Sequence, residues 1–137
     1  MKLEPGVLEQ LDFFAEELEQ GRIENTVALL LGAPVYYSLL PILLQDERFR
    51  VRTGVYLLLH ELEEAKKMGL EELADLFLPL LQHEEARVRA ESASAIELIG
   101  GERHLEALRG LLQDPQPQVV QLAGEAIEEI QMRLAQP

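Results

Sequence analysis

"LLQDERFRVR" at 43–52, "LLQHEEARVR" at 80–89 and "LLQDPQPQVV" at 111–120 are three versions of one phrase, spaced 37 and then 31 residues apart. A period in this range marks a chain of stacked units, each too small to bury its apolar face alone. The correspondence runs beyond the phrase. At an offset of 31, Gly69 aligns with Gly100, Phe77 with Leu108, Leu80 with Leu111 and Val88 with Val119. Further on, Ala95 aligns with Ala126, Ile96 with Ile127 and Ile99 with Ile130. Nearly all these positions are apolar and fall at helical spacing, while the residues between them drift. A buried helix face therefore constrains the repeat.

Each unit reads as two helices. The first ends in Leu-Leu-Gln, a short acidic turn follows, and the second begins near the valine. Asp114-Pro115-Gln116-Pro117 is such a beginning, because an aspartate accepts from free backbone amides and proline fits a first helical turn. In the second helix Val88, Ser92, Ala95, Ile96 and Ile99 form one stripe. Gly100 and Gly101 are expected to end it by adopting the left-handed conformation of a helix exit.

Residues 25–45, "NTVALLLGAPVYYSLLPILLQ", carry no charge and are long enough to cross a bilayer. The repeat frame divides them. Gly32-Ala33-Pro34 falls where one unit closes and the next opens, and Pro34 and Pro41 would interrupt a single span. The run reads as two short core helices, apolar nearly all round because a central unit has neighbours on both sides. No membrane association is expected.

The chain has 137 residues, no cysteine and no tryptophan, with 25 acidic against 12 basic side chains and a net charge of −13. It is one domain's worth of sequence, with no disulfide framework or thiolate available. The N-terminal "MKLEPGVLEQ" lacks the apolar segment of a signal peptide, and the expected location is the cytoplasm. An acidic chain disfavours nucleic acid, whose binding depends on lysine and arginine meeting phosphates. Arg48, Arg50 and Arg52 lie two apart and share no helix face, so they form no basic stripe.

"LEALRGLLQDPQPQVVQLAGEAIEEI" (105–130) resembles the HEAT-repeat family, in particular the short-period repeats of bilin-lyase-like proteins. The resemblance covers residues 34–134 as three units, 34–68, 69–99 and 100–134, with residues 5–33 as a degenerate first unit. It implies an all-α, HEAT-like α-solenoid of about four stacked helix pairs, eight helices in a single domain over 1–137. In that family an aspartate in the turn and an arginine six residues later form a polar ladder between units. Asp46 and Arg52 match both positions, Arg89 matches the arginine alone, with His83 before it, and Asp114 matches the aspartate alone, with Val120 after it.

His60 and Glu64 stand one helical turn apart, and His83-Glu84-Glu85 offers a second pair. The di-iron deoxyhypusine hydroxylase, also built on HEAT-like repeats, takes ligands from His-Glu pairs directly after the Val-Arg of the second helix. The residues there are Thr53-Gly54, Ala90-Glu91 and Gln121-Leu122, so no metal and no cofactor is expected. Phosphate-binding glycine loops, nucleophile elbows and HExxH are absent from the sequence. An accessory enzyme subunit, bilin-lyase-like or metal-dependent, is the alternative that the resemblance leaves open.

HEAT stacks usually present their second helices on a concave face. The repeat offsets place Leu57, Ser94 and Glu125 in one row, and His60, Glu97 and Glu128 in the next. Glu61, Leu98 and Glu129 make a third, with Glu64 and Glu91 flanking. The expected function is a non-enzymatic scaffold that binds a basic segment of another protein on this acidic surface. The last helix also carries Ile127, Ile130, Met132 and Leu134, which makes a homodimer a competing expectation.

Overall fold

The computed structural model describes residues 5–65 and 68–136, so the start of the N-terminal stretch, before Pro5, lies outside the described residues. Regular structure among the described residues is entirely helical. The chain divides into two compact units, Met1–Met68 and Gly69–Pro137.

The first unit contains α1 (Pro5–Leu8), α2 (Leu11–Glu19) and α3 (Glu24–Gly32), then a 3-10 turn, Pro34–Ser38, that leads into α4 (Leu39–Leu43), and α5 (Phe49–Glu64). The second contains α6 (Leu70–Phe77), which tightens into the 3-10 segment Leu78–Gln82, and α7 (Ala86–Ile99). It continues with α8 (Leu105–Gly110), flanked by 3-10 turns Glu102–His104 and Leu111–Gln113, and with α9 (Pro117–Leu134). With α1 as a one-turn lead into α2, the eight helices form four consecutive pairs. Among the described residues the chain adopts the expected all-α class and eight-helix count.

The repeated phrase acts through the same small structure each time. Asp46 Oδ1 accepts the Arg48 N–H at 2.8 Å, His83 Nδ1 accepts the Glu85 N–H at 3.0 Å, and Asp114 Oδ1 accepts the Gln116 N–H at 2.9 Å. Each bond closes the turn onto the residue just ahead of the second helix. His83 thus does an aspartate's work with a ring nitrogen. The valines then enter the core, with Val51, Val88 and Val119 all buried.

The expected helix exit after α7 needs correction. Gly100 and Gly101 do not take the left-handed conformation; their φ angles are −81° and −140°. Close approach makes them glycines instead. A Cβ on Gly100 would lie 2.6 Å from the Ile96 carbonyl oxygen, and one on Gly101 would lie 2.7 Å from the Glu71 carboxylate. Among the described glycines, Gly21 and Gly69 are left-handed, at φ 77° and 84°, where a Cβ would be strained.

The uncharged run breaks at Ala33, and α3 meets the Pro34–Leu43 segment at a bend of 116°. Leu30, Tyr37, Leu39, Leu40, Leu43 and Leu44 are buried in the core of the first unit. No single helix among the described residues is long and apolar enough to cross a membrane.

Candidate functional site

In the second unit α7 and α9 pack along one another, and their outer sides frame an open cleft of about 430 Å³. It is lined by Glu97 from α7 and by Glu125, Glu128, Glu129 and Met132 from α9. Helical spacing brings them together: 125, 128, 129 and 132 follow one face of α9 at intervals of three and four. Four carboxylates in so small a volume repel one another. Partial burial, and then the charges of Glu129 and Glu125, push the Glu97 carboxyl above the ordinary glutamate range, while Arg133 pulls the other way. Arg133 cannot neutralise the cleft freely. Its Nη2 donates to the Gly100 carbonyl at 2.9 Å, and its Nη1 stands 3.9 Å from Glu129.

The other expected surface residues have different surroundings. Glu91 accepts from Arg87 Nη1 at 3.2 Å one turn away, and Ser94 is half-buried on α7. Leu57, His60, Glu61 and Glu64 belong to α5 in the first unit. His60 and Glu64 are exposed and 3.8 Å apart. Leu57, 48% exposed, borders a groove of about 250 Å³ with Leu18, Ile23, Thr53, Gly54 and Arg50. Arg50 is pinned there by its Nε, which donates to the Glu19 carbonyl at 2.7 Å.

Sequence reasoning missed Met132 as a cleft residue, having grouped it with the apolar residues of the last helix. Its position four residues after Glu128 and seven after Glu125 was the available signal. The anchoring of Arg133 on Gly100 had none, because it joins residues 33 apart across two helices.

Arg52 and Arg89 both fold back onto their own turns. Arg52 Nη1 donates to the carbonyls of Asp46 and Glu47 at 3.1 and 2.8 Å, and Arg89 Nη1 to those of His83 and Glu84 at 2.8 and 3.1 Å. Arg89 then reaches into the next repeat, where its Nε and Nη2 meet both carboxylate oxygens of Asp114 at 2.7 and 3.1 Å. The contact is largely enclosed, with the side chains 13% and 6% exposed, and it holds Asp114 below the ordinary aspartate range. Asp46 is held down in the same direction, by Arg48, whose guanidinium pairs with both of its oxygens.

No three or more His, Asp or Glu side chains among the described residues converge as a metal site. Gly54 faces α2 so closely that a Cβ would lie 2.7 Å from Leu18 Cδ2.

Two comparisons bear on the whole chain. No curated protein matches it significantly. A family model described as HEAT repeats matches residues 36–128, well over half of the sequence and including all three copies of the repeated phrase. With its paired helices and recurring turn, the chain belongs to the HEAT-repeat family, whose stacked helix pairs typically serve as protein–protein interaction scaffolds and are generally non-catalytic.

Proposed function

We propose that this chain is a cytoplasmic, non-enzymatic binding module whose acidic cleft between α7 and α9 receives a basic segment of another protein. The observation that carries the reading is the gathering of Glu97, Glu125, Glu128 and Glu129 around one open cleft, where partial burial and then the charges of Glu129 and Glu125 raise the proton affinity of Glu97. A lysine or arginine side chain placed among these groups relieves their mutual repulsion, so the free cleft is electrostatically prepared for a cation. Met132 supplies an apolar wall for the aliphatic stem that such a side chain carries. The cleft is open to solvent and has no enclosed floor, which suits an extended segment better than a small molecule.

Fluorescence anisotropy with a labelled lysine- and arginine-rich peptide, and with an uncharged peptide of the same length, tests this reading. The basic peptide binds the wild type, binds less well as salt is added, and loses about tenfold or more in affinity to Glu125→Lys/Glu128→Lys. Equal binding of both peptides, or no change in the variant, would remove the cleft from consideration.

A further inference from the structure

One backbone amide plane in the second unit is held from both sides. Its N–H, on Gly101, donates to Nδ1 of the wholly buried His104 at 2.9 Å. Its carbonyl, on Gly100, accepts from Arg133 Nη2 at 2.9 Å. His104 Nε2 stands 2.7 Å from Asp75 Oδ1, so the proton of the neutral ring sits on Nε2 and Nδ1 is left as an acceptor. Charge reaches this cluster from two helices. On α6, Asp75 is paired with Arg103, which also stands 3.9 Å from Glu71 and from Glu72. On α9 the charge is Arg133, on the far side of the amide plane.

Histidine is the side chain that ordinarily changes charge between about pH 5 and pH 8. With a second proton, on Nδ1, both ring nitrogens donate, and the Gly101 N–H then faces another donor. Turning the plane over removes the conflict, because it presents the Gly100 carbonyl to Nδ1–H and the Gly101 N–H to Arg133. The backbone permits the turn. It carries ψ of Gly100 from 171° to about −10° and φ of Gly101 from −140° to about +40°. With its φ of −81°, Gly100 then has the shape of an ordinary turn residue. Gly101, with ψ −163°, enters a region that belongs to glycine.

We propose that a proton on His104 Nδ1 turns over the Gly100–Gly101 amide plane, releases Arg133 into the acidic cleft and so weakens the cleft's hold on its basic segment. Arg133 already stands 3.9 Å from Glu129 and its charge is felt by Glu97. Once the carbonyl that tethers it is replaced by an N–H, the guanidinium turns to these carboxylates and takes the place of the segment's cation. Release of the segment rests on the function proposed above; the turn of the plane does not.

Nuclear magnetic resonance of the full chain, titrated from about pH 7.5 to about pH 5.5 with no ligand added, reads the turn. The His104 ring nitrogens, the Gly101 amide and the Arg133 guanidinium shift together with one midpoint. Gly101→Ala disfavours the reversed plane, so its Arg133 signal stays in place. Over the same range the labelled basic peptide loses about fivefold or more in affinity for the wild type and clearly less for Gly101→Ala. Glu97 is present in both, so its own titration drops out of the comparison. His104→Gln, which has no ring to titrate, behaves as Gly101→Ala does. A ring that stays neutral until the chain unfolds, a His104 titration that the Gly101 and Arg133 signals do not follow, or equal pH dependence of binding in wild type and Gly101→Ala would each overturn the proposal. A wild type that binds no basic peptide at neutral pH would overturn the cleft reading instead, and the ligand-free signals still decide whether the plane turns.

Discussion

His104 is wholly buried, and its Nε2 lies 2.7 Å from Asp75 Oδ1, joining the start of the fourth repeat to α6 of the third. Its other nitrogen, Nδ1, accepts the Gly101 N–H at 2.9 Å, so the ring proton resides on Nε2 and is donated to the carboxylate. Arg103 grips the same aspartate from outside, with Nε and Nη2 at 3.2 and 2.7 Å. A single ring therefore satisfies a buried amide and orients the ion pair that ties two repeats together.

Replacing His104 with leucine keeps much of the volume but leaves the Gly101 amide unpaired. Such an orphaned buried donor costs about 1–3 kcal/mol. Urea unfolding should show that loss, with glutamine at 104 recovering part of it if its carbonyl reaches the amide.

The carboxylates carry a pH signature. Asp46, Asp75 and Asp114 are each held below their ordinary value of 3.8 chiefly by an arginine hydrogen bond, and Glu17 is held below 4.5 by Arg22. Because folding depresses these values, the stabilisation is complete above about pH 4.5 and is lost as pH falls through the folded-state values. Glu97 has the opposite sign. Folding raises its value, so its ionised form weakens the fold at neutral pH and protonation relieves the strain. Glu97→Gln should raise the thermal midpoint at pH 7, and the gain should shrink as pH drops toward the ordinary glutamate range.

The two glycines after α7 should respond unequally to alanine. At Gly100 the new methyl meets the backbone oxygen of Ile96 at 2.6 Å, which cannot swing away. At Gly101 it meets the carboxylate of Glu71, an exposed and flexible side chain. Gly100→Ala is expected to cost about 1–3 kcal/mol, in the range of an overpacked core. Gly101→Ala should cost clearly less, and thermal denaturation of both variants provides the comparison.

Arg89 and Asp114 should behave as a coupled pair. Arg89→Ala and Asp114→Asn each destabilise the fold, because each leaves an enclosed partner without its counter-charge. The double variant should lose less than the sum of the two, and a double-mutant cycle in urea measures the difference. Additive losses would reduce the rung to two independent turn closures.

The repeat itself was legible in one sequence. The recurring Leu-Leu-Gln phrase, the apolar matches at an offset of 31 and the Gly-Ala-Pro break in the uncharged run specified paired helices, since burial of a helix stripe leaves a periodic record. Family membership followed from the same signal. The acidic cleft was partly legible: Glu97, Glu125 and Glu128 were marked by repeat offsets, which hold where neighbouring helices lie side by side. What tertiary structure alone decided lies between residues distant in the chain. The reach of Arg133 to Gly100, the seat of His104 on Asp75, and the reason for Gly100 and Gly101 depend on where one backbone passes another. Periodicity records which face of a helix is buried. It does not record how near the neighbouring chain comes, and that distance sets both the glycines and the strained charge of Glu97.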